Sequence, residues 1–447
     1  MRDTSREGNS AGVSEGATQA EEAERQRRSR WSWVEPVVWT DRMLAALEEG
    51  VRGGKWFSLM DKVYAERTLR LAWERVERRH GAAGVDRQSV EAFAAGAERY
   101  LAELAGELRA GTYRPQSVRR VWISKPGRTE KRPPRIPTVK DRVVQTALLL
   151  VLEPIWEARF AEQSYGFRPR RGCKDALRRV VELLDGGATW VVEVDLKSYF
   201  ESLPHEGLMR EVERQVADGG VLKLLSAYLS QGVMDGLEAW QPDAGSPQGA
   251  VISPLLANIY LDPLDRYMAE QGYQMVRYAD DMVVLCGSQS EAEAALAVLR
   301  EWVAAHGLTL HSEKTRVVDA SERGGFDFLG YHFERGMRWA SKRSVQKFRA
   351  AIRAKTRRTS GDSLATIVAE VNRVSRGWFE YFKHSHRTTF GRLDSWVRMR
   401  LRSILRRRHR GKGRGRGADH QRWPNAYFAE QGLFTMTAAL VVARQSR

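Results

Sequence analysis

The chain has 447 residues, and its 73 Lys and Arg outnumber its 56 Asp and Glu to give a formal net charge of +17. That length predicts two to four domains, and a hydrophobic content of 42% is enough to bury their cores, which excludes a largely disordered chain. So large an excess of positive charge favours a polyanionic partner, with nucleic acid as the default. A merely basic protein is the alternative on charge alone.

The two cysteines, Cys173 and Cys286, are far apart and form no Cys-x-x-Cys pair, so neither a zinc site nor a disulfide framework is indicated. Two reduced thiols fit a reducing cytoplasm. The longest apolar run, from Val143 to Leu152, is too short to cross a bilayer, and the N-terminus lacks the apolar core of a signal peptide. We therefore expect a cytoplasmic protein with no membrane partner.

The N-terminal third is predicted to be mainly helical after a disordered tail over residues 1–30, which is rich in Ser, Gly, Glu and Arg. A helix is indicated by apolar residues that recur on one face, namely Leu69, Ala72, Trp73 and Val76. Phe93 to Leu108 reads as a second helix, ended by Gly111. The basic, proline-containing stretch from Val118 to Ile136 favours a strand and loop, and Val143 to Ala161 favours a largely buried helix.

The middle of the chain is predicted to be rich in strands. Trp190 to Leu196 reads as one strand after Gly186-Gly187. Gln274 to Tyr278 and Met282 to Cys286 flank the polar pair Asp280-Asp281, so these two runs should form a hairpin. Phe326 to Phe333 reads as a further short strand pair.

The C-terminal part returns to a helical pattern. Three sets of apolar residues, each spaced to lie on one helical face, predict three helices. The first face has Val345, Phe348 and Ile352, the second has Leu364, Ile367, Val368 and Val371, and the third has Phe390, Leu393, Trp396 and Val397. Gly411 to Gly417 alternates Gly with Lys or Arg and reads as a flexible basic linker. Trp423 to Ala443 is apolar again and is predicted to form a small folded appendage.

Three acidic residues carry the predicted chemistry. Asp195 ends an apolar strand, and Asp280 and Asp281 lie at the hairpin tip, where the alternative is ordinary turn chemistry. Buried carboxylates are costly unless compensated, and adjacent strands would bring all three together. Two Mg²⁺ ions about 3.5–4 Å apart would neutralise them. Such a site supports in-line phosphoryl transfer, here the attack of a primer 3′-hydroxyl on a nucleoside triphosphate.

A family resemblance rests on five motifs in a fixed order. Tyr278-Ala279-Asp280-Asp281 resembles the Tyr-x-Asp-Asp signature of reverse transcriptases, and the segment from Asp195 to Phe200 resembles their first metal-binding motif. The stretch from Gly245 to Asn258 is similar to the motif lining the nucleotide pocket, Gly307 to Thr315 to the motif that follows, and Phe328 to Tyr331 to the hairpin leading to the thumb. The resemblance implies an RNA-directed DNA polymerase with catalytic, metal-binding Asp195, Asp280 and Asp281.

The resemblance also assigns nucleotide contacts. Phe200 would stack under the incoming sugar and exclude a 2′-hydroxyl, the alternative being a core aromatic, and Gln248 would contact the incoming nucleotide. Lys125 and Arg132 would hold the triphosphate, since cations offset the charge on its oxygens. Lys314 would lie near the leaving pyrophosphate, or else is a solvated surface lysine. Other cations near Lys125 and Arg132 compete for their role, and they are Arg128, Lys131 and Arg135.

Further stretches resemble group II intron-encoded reverse transcriptases, or maturases. They are Gly81 to Asp86, Ile136 to Gln145, Tyr165 to Pro169, Gly377 to Phe382, and Arg422 to Phe428. The resemblance implies a protein that binds its intron RNA, assists splicing and copies the RNA into DNA at a new site. The expected partners are therefore intron RNA, a DNA target or primer, and deoxynucleoside triphosphates. Because the zinc-binding cysteines of the family's endonuclease domain do not occur, we expect a bacterial endonuclease-lacking type similar to class C.

Nucleic-acid contacts are expected from Tyr278 and from a dense arginine run, where cations would displace counterions from phosphates. The arginines are Arg398, Arg400, Arg406, Arg407 and Arg408. Two alternatives stay open: a reverse transcriptase recruited to phage defence or to a CRISPR system, and an RNA-binding splicing factor with a dead polymerase.

The predicted fold is α+β, a right-hand polymerase with an antiparallel palm sheet and a helical thumb. We expect a disordered tail over 1–30, an N-terminal extension and fingers over 31–189, and a palm with finger elements over 190–335. A thumb or maturase domain is expected over 336–410, followed by a basic linker and DNA-binding appendage over 411–447.

Overall fold

The structure is a computed structural model, which describes residues 22, 24–51, 53–124, 131–132, 135–235, 238–240, 244–245, 249–413, 415 and 417–445. The helices in order are α1 (24–30), α2 (Asp41–Glu49), α3 (Met60–Val63), α4 (Glu66–Arg79), α5 (Val90–Ala94), α6 (Ala97–Ala110), α7 (Val139–Glu157), α8 (Cys173–Asp185), α9 (Tyr199–Ser202), α10 (His205–Glu213), α11 (Gly219–Leu229), α12 (Ser253–Glu270), α13 (Gln289–Ala305), α14 (Lys342–Lys355), α15 (Leu364–Phe382), α16 (Thr388–Arg408), α17 (Ala418–Arg422), α18 (Asn425–Glu430) and α19 (Met436–Gln445). The strands are β1 (Val118–Arg120), β2 (Ile123–Ser124), β3 (Lys131–Arg132), β4 (Arg135–Ile136), β5 (Trp190–Asp195), β6 (Val233–Asp235), β7 (Glu238–Trp240), β8 (Gln274–Tyr278), β9 (Asp281–Cys286), β10 (Arg316–Asp319), β11 (Phe326–Phe328), β12 (Tyr331–Glu334) and β13 (Met337–Ala340).

The prediction of a disordered tail up to residue 30 is wrong for residues 24–30, which form α1. This helix is held against α2 by ion pairs, with Arg27 Nε 2.9 Å from a Glu48 carboxylate oxygen and Arg28 3.1 Å from Asp41. Trp31, which follows α1, is only 4% exposed. Charge pairing and one buried indole therefore order a segment that has few apolar residues of its own.

The fingers are built around α4 and α7. The predicted apolar face of α4 is confirmed, since Leu69, Ala72 and Val76 are all buried. α7 begins four residues before the predicted Val143, because the Thr138 hydroxyl accepts a hydrogen bond from the Asp141 backbone N–H and caps the helix. The helix predicted from Phe93 to Leu108 is instead two helices, α5 and α6, which are separated at Gly96.

The predicted antiparallel palm sheet is confirmed, with strand order β10-β5-β9-β8. Side chains alternate between its two faces. Val192 and Val284 pack into the large core that includes α12 and α13, whereas Val191, Val283 and Leu285 pack beneath α8 and the β11–β13 sheet. Asp195 lies four residues after Val191 in β5, so its side chain is on the same face of the sheet, which α8 and β11–β13 border. A separate finger sheet has the order β4-β1-β6-β7.

The thumb and the C-terminal tail share one hydrophobic core. Helices α14, α15 and α16 bury the faces that the sequence predicts, and the tail adds Trp423, Phe428, Leu433, Met436 and Leu440 to the same cluster. The Asp394 carboxylate on α16 also accepts hydrogen bonds from the backbone of Met436 (3.0 Å) and Thr437 (2.9 Å) at the start of α19. The predicted separate appendage is thus part of the thumb core. Across the described residues, no helix combines the length and the apolar character needed to cross a membrane.

Candidate active site

Two strands bring the predicted carboxylates together. Asp195, the last residue of β5, is the register partner of Asp281, the first residue of β9. Asp281 also pairs with Tyr278 across the hairpin, so the two-residue turn is Ala279-Asp280 rather than the predicted Asp280-Asp281. Ala279 has a left-handed backbone with φ of 60°. One carboxylate is therefore offered by the turn and two by the strands beside it.

The negative charge of this cluster is only partly compensated. Asp281 keeps an opening to solvent, yet burial among the surrounding residues, followed by the charges of Asp280 and Asp195, raises the pKa of its carboxyl to about 6. Lys314 acts in the opposite direction, and its ammonium group forms an ion pair with Asp195. The segment that carries Lys314 is anchored to the same strand, because the His311 N–H donates to the Asp195 carbonyl at 2.8 Å.

The cluster fits a divalent cation in its chemistry. Three carboxylates supply the hard oxygen donors that Mg²⁺ prefers, and the raised pKa of Asp281 shows that added positive charge would be favourable there. Within the described ranges, however, no three His, Cys, Asp or Glu side chains already converge as a finished metal site. The chemistry of the donors fits the ion.

Phe200 lies one short turn from the carboxylates. It belongs to α9, which begins four residues after Asp195, and it is only partly buried against the core. Its ring meets the edge of the buried Tyr199 ring at 5.5 Å, and the Tyr199 hydroxyl donates to the Ala257 carbonyl at 2.6 Å. Tyr199 is thus the core aromatic of the pair, which leaves Phe200 beside the site.

The start of the nucleotide motif, which runs from Gly245 to Asn258, packs directly on α9 and the finger sheet. A Cβ at Gly245 would lie 2.6 Å from the Glu201 carbonyl oxygen, and one at Gly249 would lie 2.9 Å from the Arg135 carbonyl oxygen. Both glycines also have positive φ angles, so a residue with a side chain suits neither position. Gly245 is therefore held against the residue after Phe200, and Gly249 against strand β4.

Three predicted nucleotide contacts, Lys125, Gln248 and the side chain of Arg132, lie outside the described residues. Their rival Arg135 is described. Its side chain is half-buried, burial lowers its pKa while Glu201 opposes that effect, and its Nη1 has no hydrogen-bond partner in the described part of the chain. A partly desolvated guanidinium with a spare donor beside the nucleotide motif is suited to a phosphate oxygen.

The predicted nucleic-acid contacts divide into two groups. Arg400 donates to Thr356 (3.0 and 2.6 Å) within the thumb, whereas Arg406 forms an ion pair with Asp419 at 2.6 Å and joins the thumb to the tail. Arg407 and Arg408 are exposed in the last turn of α16, with Arg408 donating to the Asp362 carbonyl. Arg398, half-buried on the same helix, donates to Ser395 at 3.3 Å.

Tyr278 is half-buried beside the catalytic turn. Burial, followed by contact with Cys173, raises the pKa of its phenol to about 12, and its ring lies 6.4 Å from that of Phe167.

Sequence reasoning missed a buried ion pair under the Ala279-Asp280 turn. Arg277 and Asp265 are both fully buried, and their side chains face each other directly. The available signal was a cationic residue in an otherwise apolar strand, immediately before Tyr278. Such a residue is costly to bury without a partner.

Comparison with known proteins finds two families along the chain. Residues 123–333 match the family described as reverse transcriptase (RNA-dependent DNA polymerase), and residues 345–423 match the group II intron, maturase-specific domain. Protein YkfC of Escherichia coli strain K12 is 35% identical over 271 residues, which is 52% of this chain and 70% of that protein. The chain belongs to the group II intron-encoded reverse transcriptase and maturase family.

Two further matches extend over smaller shares of the proteins concerned. The group II intron-encoded protein LtrA of Lactococcus lactis subsp. cremoris is 37% identical over 173 residues, which is 39% of this chain and 29% of LtrA. Among solved structures, a partial Cas6-RT-Cas1–Cas2 complex aligns with 55% of this chain and 41% of its own, at 22% identity and a TM-score of 0.36. A likeness of that extent says nothing of this chain's function.

Membership of this family identifies the chain as an RNA-directed DNA polymerase with a maturase domain that assists splicing. Reverse transcriptases use divalent metal ions, and both domains act on RNA.

Proposed function

We propose that Asp195, Asp280 and Asp281 are the catalytic carboxylates with which this polymerase adds deoxynucleotides to a primer on an RNA template. The observation that carries the proposal is the cross-strand pairing of Asp195 with Asp281, beside a tight turn that presents Asp280. Burial, followed by the charges of Asp280 and Asp195, raises the pKa of Asp281. A bound cation would offset this clustering of negative charge.

The reaction would be attack of the primer 3′-hydroxyl on the α-phosphate of a deoxynucleoside triphosphate. Two Mg²⁺ ions held by Asp195, Asp280 and Asp281 would activate that hydroxyl and neutralise charge on the reacting phosphates. The chain's own groups would position the nucleotide: Phe200 beneath the sugar and Gln248 in the motif that contacts it. Lys314, beside Asp195, would face the leaving pyrophosphate.

The triphosphate would be held by cations of the finger loop. Lys125 and Arg132 are the residues that match the family motif, and Arg135 would join them, because its half-buried guanidinium has a donor to spare. Each bond from a guanidinium to a phosphate oxygen is charge-assisted and stronger than a neutral hydrogen bond.

The biological role we propose is that of a group II intron maturase acting in the cytoplasm. The protein would bind its intron RNA, assist its splicing, and copy it into DNA at a target site that supplies the primer. The fingers would extend over 31–189, the palm over 190–335 and the thumb over 336–410, with residues 411–447 binding DNA. The maturase-domain match over residues 345–423 supports the splicing role over one in phage defence.

The test is primer extension on an RNA template by purified Asp195→Ala and Asp280→Ala variants. We expect both to lose complementary-DNA synthesis and to retain RNA binding, because the carboxylates serve the chemistry and basic surfaces supply affinity. The matched control is Asp319→Asn, which changes an acid of the same sheet that pairs with Trp190 at the opposite end of β5. Substantial extension by either alanine variant would show that the carboxylates are not catalytic.

A further inference from the structure

The catalytic turn rests on the side chain of Arg277. This residue lies on the sheet face opposite Asp195 and Asp281, is fully buried, and points toward α12. Its Nη1 donates to the carbonyl oxygen of Ala279 at 3.0 Å and to Asn258 Oδ1 at 2.9 Å. One guanidinium nitrogen thus links the backbone of the turn to a helix of the palm core.

The remaining guanidinium donors are also occupied. Nε donates to Asp265 Oδ1 at 2.7 Å, while Nη2 donates to Ser164 Oγ at 2.9 Å and to the other Asp265 oxygen. All five N–H groups of the guanidinium therefore have acceptors, in a planar fork that the three donors of a lysine cannot reproduce. Burial lowers and the Asp265 charge raises the pKa of Arg277, with a net rise, so the guanidinium stays charged.

The turn needs support because of its backbone. Ala279 has φ of 60°, a left-handed conformation that is unfavourable for an L-residue with a side chain. The left-handed Ala279 lies between Tyr278 and Asp280, so a relaxed turn would reorient the Asp280 carboxylate relative to Asp195.

A second contact packs against the turn from the finger side. Gly166 packs so tightly that a Cβ there would lie 2.3 Å from the Ala279 nitrogen. The Gly166 carbonyl accepts a hydrogen bond from Asn258 Nδ2 at 2.8 Å, and Ser164 forms a β-bridge with Arg277. Arg277, Asn258 and Ser164 therefore connect the turn, the palm helix α12 and the segment that holds Gly166.

We propose that Arg277, neutralised by Asp265, is a positioning residue that holds Ala279 in its left-handed conformation and thereby sets the Asp280 carboxylate for nucleotide addition. The inference rests on the proposed catalytic role of Asp280 and extends it to a residue on the opposite face of the sheet, which touches neither substrate nor metal. Arg277 would affect the rate of the chemical step and leave the binding of primer, template and nucleotide almost unchanged.

The first measurement is single-nucleotide addition by Arg277→Lys under steady-state conditions. Lysine keeps the charge that neutralises Asp265 but cannot also hold the Ala279 carbonyl and Asn258. We expect kcat to fall by about tenfold or more, while KM for the nucleotide and Kd for the primer–template change by less than about twofold.

The matched control is Arg168→Lys. Arg168 forms another well-buried bidentate ion pair of this region, with Glu157 (2.9 and 2.8 Å), and its other hydrogen bonds go to the carbonyls of Ala161 and Ser164. Both lysine variants should lower the melting temperature, but only Arg277→Lys should lower kcat per folded enzyme. Equal losses of kcat in the two variants would mean that Arg277 serves stability alone.

A second readout separates positioning from general damage. Glycine adopts a left-handed backbone without strain, so the Ala279→Gly turn should depend less on Arg277. We expect the loss of kcat caused by Arg277→Lys to be at least about fivefold smaller in an Ala279→Gly background than in the wild type, since residues that act together are not additive. An equal loss in both backgrounds would overturn the proposal.

Asp280→Ala is assayed beside these variants. If Asp280→Ala is inactive while Arg277→Lys keeps its full kcat, the positioning role fails and the catalytic assignment stands. If Asp280→Ala is active, the catalytic assignment itself fails.

Discussion

At the scale of single residues, the adjacent side chains of Tyr199 and Phe200 differ in how deeply they are buried. Tyr199 is buried and its hydroxyl is bonded to the Ala257 carbonyl, whereas Phe200 is only partly buried at the carboxylate end of β5. The left-handed Ser198 that precedes them, with φ of 49°, turns the chain sharply from strand into helix. Beyond that turn, Tyr199 packs in the core and Phe200 stays partly exposed.

We predict that Phe200→Ala admits ribonucleotides, because the ring should fill the space that a 2′-hydroxyl needs. The efficiency of ribonucleotide addition relative to deoxyribonucleotide addition should rise by about tenfold or more, equivalent to about 1.4 kcal/mol. Phe200→Tyr, which keeps the bulk of the ring, is the control and should discriminate as the wild type does. Single-nucleotide incorporation with each sugar measures the ratio, and an unchanged ratio in the alanine variant would make Phe200 a packing residue.

At the scale of secondary-structure elements, the packing of α4 on α7 buries a carboxyl group. Glu153 of α7 is desolvated, which raises its pKa to about 7, although Arg75 and Arg79 of α4 oppose the rise. A carboxyl whose folded pKa lies above its ordinary value binds its proton more tightly in the folded state. The contribution of Glu153 to the stability of the fold is therefore fully present below about pH 4.5 and is progressively lost as pH rises toward 7.

We predict that Glu153→Gln stabilises the protein at neutral and higher pH. A rise in pKa from 4.5 to about 7 corresponds to about 3 kcal/mol, as an upper figure for the ionisation penalty that glutamine avoids. The difference in melting temperature between variant and wild type should be small near pH 5 and should grow until about pH 8. A difference that stays constant over this range would show that Glu153 ionises without cost.

The sequence predicts elements best where a pattern is local. The apolar run of β5 and the apolar faces of α4, α15 and α16 follow from burial, and the structure has them. Predictions failed where contacts beyond the local pattern decide. Pairing of Arg27 with Glu48 orders α1, Gly96 divides a continuous helical pattern, and the pairing of Tyr278 with Asp281 moves the hairpin turn by one residue.

The candidate site, like the elements, was predictable where the signal is local. Asp195, Asp280 and Asp281 stand out as acids in apolar strands, so their meeting could be expected. Arg277 and Asp265 are twelve residues apart and belong to different elements, so only the fold shows that they pair. Likewise, no local pattern reveals that Arg400 and Arg406 are used in packing while Arg407 stays exposed.

At the scale of the whole molecule, catalysis and RNA binding should be separable. The carboxylates lie in the palm, whereas exposed arginines extend the basic end of α16 in the thumb. We expect splicing assistance to depend on phosphate neutralisation and stacking on folded RNA, and not on a metal held by Asp280.

We predict a double dissociation. Asp280→Ala should lose primer extension and still assist splicing of the cognate intron, whereas a double alanine variant of Arg407 and Arg408 should bind and splice the intron poorly. Its salt dependence of binding should be shallower by roughly one unit per lost contact. The control variant replaces with alanine two other exposed arginines, Arg210 of α10 and Arg214 just after it. Normal splicing by the Arg407 and Arg408 variant would contradict a role for this surface.

The hydrophobic core that the thumb and the tail share limits what a truncated protein can show. A stop codon after α16 would remove Trp423, Phe428 and Met436 from the cluster that also holds the thumb helices, and would leave Asp394 without its partners on α19. Such a truncated chain would have a disrupted thumb core in addition to lacking the tail. Its failure to act on DNA would therefore not show that the deleted residues carry that activity. Point substitutions on the surface of the tail can separate the two, whereas deletion cannot.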